Sequence, residues 1–264
     1  MKKIILTTLI LLGILRGSFA QKTTSIIPSP TPINPVEKAG WELIFQDEFE
    51  GDTLKSHWWA QEAERVGEFA YFTGRKENVS VDSGRLNIVV RKESFKKYKY
   101  TGGLVFFNRG IEPNSYVETA CRIPKGDGLW PAFWFWTGAD STYQEMDIME
   151  NYGQKTKEYD ASHHYWNDEL KKRETFWTGV FPKDSNKVAV DLSSELHVFA
   201  VEWMDNKVRY FMDNVVVFEF TKFIPKKYLN LILGMGLKKK PKKRVKLPAK
   251  FEIDYVRVYK LAKN

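Results

Sequence analysis

Three carboxylates lie within six residues of otherwise apolar sequence, at Glu145, Asp147 and Glu150. Side chains on a β-strand alternate between two faces, so Glu145 and Asp147 share one face while Ile148 takes the other. Strict alternation turns Glu150 towards the apolar face. One extra residue, a β-bulge around Ile148 and Met149, restores the phase and places all three acids on one face.

Crowded carboxylates push one another's pKa values apart, so that one holds a proton while another stays anionic. Retaining cleavage of a glycosidic bond needs such a pair about 5–5.5 Å apart, one to attack and one to protonate the leaving oxygen. Residues four or five apart on a flat strand are separated by roughly 13 Å or more. The strand must therefore curve, concave on the acidic side. An acidic solvated edge strand is the alternative, and the apolar flank at 133–136 disfavours it.

Aromatic residues supply a second chemical feature, immediately before the acids. In the segment 129–136, alternation puts Trp134 and Trp136 on one face and Phe133 and Phe135 on the other. One set fills a core, and the other can stack against sugar rings. The alternative is that both sets belong to the core. We assign Trp134, Trp136 and the preceding Trp130 to substrate binding.

Other kinds of site are disfavoured. The chain has no G-x-S-x-G, C-x-x-C, H-E-x-x-H or P-loop motif. His163 and His164 are adjacent, so on a strand they face opposite ways and are poorly placed to bind one metal ion. We expect one histidine to be structural and one to contact sugar, and we assign His164, with Trp166, to substrate binding.

The beginning of the chain predicts export. A basic start, an apolar stretch at 4–15 that is too short to span a bilayer, and a small-x-Ala site ending at Ala20 define a signal peptide over 1–20. Residues 21–37 hold four prolines and are interpreted as a linker. The remaining residues, 38–264, suit one all-β domain. We expect a secreted or periplasmic monomer without membrane insertion after signal removal.

Net charge indicates which binding partners to expect, and cysteine content indicates whether a disulfide can form. The whole chain carries a formal net charge of +8, and much of the excess lies in a basic run at 238–246. Such a run is usually a solvated loop that is also able to contact a polyanion. Nucleic acid is not an expected partner of an exported protein. Cys121 is the only cysteine, so no intrachain disulfide forms, and it reads as a small buried hydrophobe.

The elements that must hold these residues are short strands. Turn signals separate them, as at 82–84 and 212–214, and no amphipathic helix of ten residues is apparent. Many short strands without an internal repeat indicate a β-sandwich or barrel. The predicted strands are 41–47, 79–81, 86–91, 103–107, 116–123, 132–137, 145–150, 197–203, 207–212, 215–220, 228–234 and 251–259.

The acidic segment at 145–150 resembles the E-x-D-x-x-E signature of glycoside hydrolase family 16, in the bulged form of laminarinases, agarases and carrageenases. Further stretches resemble that family in the same order along the chain: 45–49, 77–79, 84–86, 128–134, 197–203 and 254–259. The resemblance implies an all-β, concanavalin A-like β-jelly-roll sandwich of two antiparallel sheets with a concave substrate cleft. It also implies endo-acting hydrolysis of a polysaccharide with retention.

By motif position, the resemblance makes Glu145 the nucleophile, Glu150 the acid/base and Asp147 the assisting residue. The neighbouring carboxylates should then raise the pKa of Glu150. No cofactor is expected for catalysis. A structural calcium ion on the convex side, near Glu48 and Asp254, is also implied.

Two departures leave the substrate open. The segment 66–72 lacks the asparagine-rich stretch of many laminarinases, and Met235, Gly236 and Leu237 lead directly into the basic run instead of a Gly-Gly-x-Trp-Pro loop. We expect β-1,3- or mixed β-1,3/1,4-glucan, with agar, porphyran or carrageenan as the alternative. Specificity is expected in cleft loops such as 162–177 and 237–247. A non-catalytic lectin on the same fold is a weaker hypothesis, and a structural envelope protein is weaker still.

Overall fold

The computed structural model describes residues 20–27, 34–64, 69–138, 143–242 and 245–263. Within these ranges the chain is all β, and no segment qualifies as a membrane-spanning helix. The strands are β1 (Ala20–Thr23), β2 (Trp41–Asp47), β3 (Trp58–Ala60), β4 (Tyr71–Phe72), β5 (Val79–Asp82), β6 (Arg85–Phe95), β7 (Tyr98–Ile111), β8 (Ser115–Arg122), β9 (Leu129–Trp136), β10 (Gln144–Glu150), β11 (Tyr159–Asn167), β12 (Lys172–Val180), β13 (His197–Trp203), β14 (Val208–Met212), β15 (Val215–Phe220), β16 (Leu229–Leu237) and β17 (Ala249–Leu261).

The strands pair into two sheets. The concave sheet runs in the order β1-β12-β11-β10-β9-β16-β7-β3. In the back sheet, β2 and β6 lie along one side of β17, and β8, β13, β14 and β15 follow on its other side. Pairing is antiparallel except for β1 with β12 and β4 with β7, and the β6–β7 hairpin joins the sheets. The predicted jelly-roll sandwich of two antiparallel sheets is confirmed.

Two hairpin turns show why the sequence folds back where it does. Ser83 and Gly84 connect β5 to β6 with φ values of 54° and 70°, and Asp213 and Asn214 connect β14 to β15 with 46° and 67°. Two successive positive φ values in a two-residue loop match the type I′ turn, whose twist suits a hairpin and whose usual residues are Gly, Asn and Asp. Both turns were predicted from these residues.

The core lies between the sheets. Phe133 and Phe135 of β9 and Met146 of β10 point into it, and each is completely buried. Trp203 of β13 enters from the back sheet, where its indole Nε1 donates to the carbonyl of Pro225 at 3.1 Å. This inner face fixes which side of β9 and β10 is left for the cleft, because alternate residues must take the opposite face.

The prediction that 162–177 is a cleft loop was wrong. Most of this segment is an antiparallel hairpin formed by β11 and β12. Its hydrophobic alternation is weak because the buried positions of β11 include His163, which is fully buried, while β12 begins with the exposed charges of Lys172 and Arg173. The pairing of β11 with β10 and the packing of the buried side chains of β11 stabilise this hairpin, although its sequence pattern does not indicate strands.

Part of the predicted linker packs on the domain. Strand β1 pairs in parallel with β12, Ile27 is buried in the main core, and Asn34 donates through Nδ2 to Glu118 Oε2 at 2.8 Å. These contacts involve partners that are distant in sequence, so proline content alone could not reveal them. The predicted signal peptide, apart from Ala20, lies outside the described residues.

Candidate active site

Strand β10 contains the predicted bulge. Asp147 pairs with Trp134 of β9 and Met149 pairs with Phe133, so Ile148 is the extra residue. The register of β10 against β11 shifts over the same stretch. A bulge adds one residue to one strand and bends it locally. The predicted bulge is therefore confirmed on both sides of β10.

The bulge separates acidic from apolar side chains. Glu145, Asp147 and Glu150 all line one cavity on the concave face. Met146 and Met149, which lie between them in sequence, are completely buried in the core. Without the extra residue, strict alternation would send Glu150 to the core side.

Paired residues on neighbouring strands form three rows that cross the concave sheet. The first row contains Thr175, His164, Glu145, Trp136 and Asn230. The middle row contains Trp177, Ser162, Asp147, Trp134, Ile232, Phe106 and Trp59. The third row contains Asp160, Glu150, Ala132, Gly234 and Leu104. Each acid thus belongs to its own row, and directly paired residues point to the same face of a sheet.

The cavity has a volume of about 70 Å³ and is lined by residues of five strands. The lining combines the three acids of β10 with aromatic and aliphatic side chains and with two glycines of β16. Its lining residues are Phe72, Leu104, Trp130, Ala132, Trp134, Glu145, Asp147, Glu150, Gly234, Met235 and Gly236.

Hydrogen bonds hold the acids in place from β11. Ser162 Oγ donates to Asp147 Oδ2 at 2.6 Å, and His164 Nε2 lies 3.1 Å from the same oxygen. The other ring nitrogen of His164 is 2.6 Å from Thr175 Oγ1. Tyr143, immediately before β10, donates its hydroxyl to Glu145 Oε2.

Two titratable groups of the site, Glu150 and His164, have raised pKa values. Burial, followed by the negative charge of Asp147, raises the pKa of Glu150 to about 8, while Lys238 opposes this shift. The predicted direction is confirmed, although burial is the larger cause. Burial opposes charging of His164, but its hydrogen bond to Asp147 and the charge of that carboxylate raise its pKa overall. The raised pKa of Glu150 favours its protonated form at neutral pH.

The residues predicted to bind substrate reach different parts of this face. Trp130 and Trp134 line the cavity, as predicted from alternation. Trp136 belongs to the same face of β9 and packs against Trp134 with ring centroids 6.1 Å apart. His164 supports Asp147, and Trp166 is two residues further along the same face of β11, but neither lines the cavity.

The concave face also contains hydrophobic residues that sequence reasoning missed. Phe72, Leu104 and Phe106 cluster with Trp134 on this face, and Trp59 of the three-residue strand β3 extends the set. The predicted strand 103–107 placed Leu104 and Phe106 on one face, which is the one signal that could have found them.

The basic run begins at the third-row end of the cavity. Lys238 Nζ lies 3.7 Å from the centre of the Trp130 ring, and Trp130 stacks in parallel with Tyr152. Lys239 is paired with Asp127 at 2.7 Å. Gly128 makes this close approach feasible, because a Cβ there would lie 2.6 Å from the Lys239 carbonyl oxygen. Residues 243–244 lie outside the described part of the chain.

The residues predicted to hold calcium do not fit that role. Glu48 forms two hydrogen bonds with the guanidinium of Arg257, and Asp254 pairs with Arg85 at 3.2 Å. Each carboxylate is already neutralised by an arginine, so the structure gives the calcium prediction no support. Among the described residues, one group of three metal-ligating side chains lies close enough to share an ion: Glu145, Asp147 and His164. Cross-strand pairing of Glu145 with His164 and the contact of His164 with Asp147 bring these side chains together.

Comparison with known proteins agrees with this geometry. The profile of glycosyl hydrolases family 16 matches residues 67–256, which include β10 and most of the concave sheet. The chain belongs to this family. It is 25% identical to glucan endo-1,3-beta-glucosidase A1 of Niallia circulans over 87% of this chain and 39% of that protein. It is 23% identical to kappa-carrageenase of Pseudoalteromonas carrageenovora over 85% of this chain and 66% of that protein.

A solved structure of similar sequence shows the same architecture. The endo-beta-1,3-glucanase of Pyrococcus furiosus superposes with a TM-score of 0.72 and 26% identity, covering 85% of this chain and 96% of that one. The chain spans about one third to two thirds of the length of the curated relatives that it matches. Similarity to these proteins extends over the whole sandwich and is not confined to the acidic strand.

Proposed function

We propose that this protein is an exported, endo-acting retaining β-glycanase. The observation that carries the proposal is the bulged strand β10, which presents Glu145, Asp147 and Glu150 to one cavity while Glu150 holds its proton at neutral pH. Retaining hydrolysis needs one ionised carboxylate and one protonated carboxyl on either side of the scissile bond. The family relationship supports this chemistry over simple binding.

The mechanism assigns each acid a step. Glu145 attacks the anomeric carbon as its bond to the leaving oxygen breaks, and Glu150 gives that oxygen its proton. Glu150, now ionised, removes a proton from water as the water attacks the same carbon and releases Glu145. Because both steps invert the carbon, the product keeps the β configuration.

Asp147 acts between these two groups. Its hydrogen bonds from Ser162 and His164 hold it on the middle row, where its negative charge contributes to the raised pKa of Glu150. The fixed charge favours the neutral form of Glu150 before the first step. Ser162 and His164 are therefore positioning residues in this proposal.

Endo action is supported by the shape of the site. The cavity crosses β10, β9, β16, β7 and β4 instead of ending in a closed pocket at the acids. A chain that binds across several strands can be cleaved away from its ends. Export is proposed from the signal sequence over 1–20, and no oligomer is needed to complete the site.

We propose β-1,3- or mixed β-1,3/1,4-glucan as the substrate. Relatives named as glucan endo-1,3-beta-glucosidase and endo-beta-1,3-glucanase support this choice. A sulfated galactan is the second candidate, favoured by one observation: Lys238 lies over Trp130, which lines the cavity. Kappa-carrageenase is also among the relatives.

A panel of laminarin, lichenan, agarose, porphyran and carrageenan at two ionic strengths tests this function. We expect new reducing ends from laminarin or lichenan, with little effect of salt. Cleavage of only the sulfated polymers, weakened by salt, would favour the galactan because surface charge attraction is screened. Binding without reducing ends from any polymer would contradict the enzyme and favour a lectin. The first product anomer, read by NMR, must be β for retention.

A further inference from the structure

Trp59 stands out because it is a large exposed aromatic residue on a very short strand. Its neighbour Trp58 is buried and donates through Nε1 to Asp47 Oδ2 at 3.0 Å, which ties β3 to the core. Alternation then sends Trp59 to the concave side, where 46% of its surface remains exposed. Fold stability accounts for Trp58, whereas it does not require an aromatic residue at 59.

The exposed indole has a defined orientation. Trp59 stacks on Phe106 with ring centroids 4.4 Å apart and an interplanar angle of 15°. Phe106 is itself buried in the hydrophobic cluster with Phe72, Leu104 and Trp134. One face of the indole is therefore covered and fixed, and the remaining exposure offers a flat apolar surface of the kind that stacks on a pyranose ring.

The middle row connects this surface to the acids. From Asp147 the row passes through Trp134, Ile232 and Phe106 to Trp59. Strand β3 is the fourth strand from β10, so at about 4.8 Å per strand the platform lies about 19 Å from the acids. The cavity reaches each of the three strands between β10 and β3, because its lining includes Trp134 of β9, Gly234 of β16 and Leu104 of β7.

The positions of the acids give the direction of the bound polymer. Glu145 and Glu150 are separated along β10, in the first and third rows. A retaining pair flanks the scissile bond, so the sugar chain must pass between these two side chains. It therefore runs across the strands, parallel to the middle row, and one of its two directions leads to Trp59.

We propose that Trp59, supported by Phe106, is a distal sugar-binding subsite for the same polysaccharide chain that is cleaved at β10. This inference rests on the proposed glycanase function and adds a site that determines preference for long chains. Trp59 binds a pyranose ring several sugar units from the scissile bond. Short oligosaccharides that occupy the acids do not reach it.

Kinetics on laminarin and on laminari-oligosaccharides of increasing length test the subsite. We expect Trp59→Ala to raise KM for laminarin and for the longest oligomers about twofold to twelvefold, the range for one aromatic stacking contact of about 0.5–1.5 kcal/mol. Hydrolysis of the shortest cleaved oligomer should be unchanged, as should kcat on laminarin. Trp59→Phe, which retains a stacking ring, should recover most of the loss.

Phe223→Ala is the matched control. Phe223 is also 46% exposed and stacked, on Tyr165 at 4.2 Å, but Tyr165 lies on the opposite face of β11 from Ser162 and His164. Its loss should leave the dependence on chain length unaltered. An equal effect of Trp59→Ala on short and long substrates, or no effect on either, would overturn the subsite.

The two proposals fail in different ways. If the wild-type protein cleaves another polymer of the panel instead of laminarin, the same series is measured with oligomers of that polymer. If no polymer is cleaved, affinity electrophoresis of wild type and Trp59→Ala in gels containing each polymer still reports the subsite. Equal retardation of both proteins in every gel would overturn it, and weaker retardation of Trp59→Ala would support it without catalysis.

Discussion

Glu118 on the back sheet and Glu150 on the concave sheet are carboxylates of one type in two different settings. Glu118 is completely buried, and it accepts a hydrogen bond from Asn34 at 2.8 Å. Lys38 Nζ lies 3.3 Å away, and Arg257 Nη1 lies 3.8 Å away. The carboxylate of Glu118 thus has one hydrogen-bond donor and two basic side chains around it.

At Glu150 the main charged neighbour is another carboxylate instead of a basic side chain. The carboxylate of Asp147 raises its pKa, and Lys238, which is exposed and lies over Trp130, opposes this shift. Burial and a like-charged neighbour both favour the neutral form of an acid. The comparison teaches that pairing makes an acid structural and crowding makes it reactive.

The largest expected effect is on catalysis at the crowded site. Glu145→Gln removes the attacking charge at nearly constant shape, so turnover should fall about 10³-fold or more. Reducing-end release from the cleaved polymer measures this, and an unchanged thermal transition would show that the fold is intact. Near-normal turnover would break the assignment of β10 as the catalytic strand.

At the paired site the effect should fall on stability instead. Glu118→Gln leaves Arg257 without one of its buried partners, and we expect a loss of about 2–4 kcal/mol in the free energy of unfolding. Urea denaturation measures that loss, while kcat per folded molecule should stay close to wild type. A fall in kcat comparable to that of Glu145→Gln would erase the distinction between the two sites.

The raised pKa of Glu150 predicts the opposite effect, a substitution that stabilises the fold. Its pKa is about 8 in the folded protein against an ordinary value of 4.5, so folding becomes less favourable as pH rises through this interval. The free energy of unfolding of Glu150→Gln should therefore be about 2–4 kcal/mol higher than that of wild type at pH 9, with little difference at pH 4. The exposed Glu50→Gln serves as control. A destabilised Glu150→Gln at pH 9 would contradict the raised pKa.

The smallest expected effect concerns Lys238. In the proposed mechanism the first step uses protonated Glu150, so kcat/KM should fall as pH rises through about 8. Because Lys238 lowers the pKa of Glu150, Lys238→Met should move this alkaline limb to higher pH. Lys240→Met, also exposed in the basic run, is the control and should leave the limb in place. A shift to lower pH would show that Lys238 does not act on Glu150.

The alternation of side chains along strands was sufficient to predict much of the concave face. Three acids with one extra residue predicted the bulge of β10, and alternation correctly separated Trp134 from Phe133 and Phe135. The turn at Ser83 and Gly84 was also predicted, because residues with positive φ are chemically distinctive. These features depend on a few adjacent residues and on the preference for burying apolar side chains.

Cross-strand neighbours depended on the tertiary structure. Trp59 and Phe106 are far apart in sequence, and only the pairing of β3 with β7 stacks them on the face of the acids. The hairpin of β11 and β12 was missed because buried His163 interrupts its apolar pattern. Register between distant strands is set by packing over the whole sheet, which no local pattern contains.

The partners of Glu48 and Asp254 were likewise decided only by the tertiary structure. The sequence determined that Glu48, Asp254, Glu145 and Glu150 are acids, and the resemblance to family 16 predicted which pair is catalytic. The fold brought arginines to Glu48 and Asp254, whereas Asp147, which raises the pKa of Glu150, was already close to it in the sequence. Charge interactions decay over a few ångströms and depend on burial, so a residue's chemical role follows from neighbours that the chain acquires on folding.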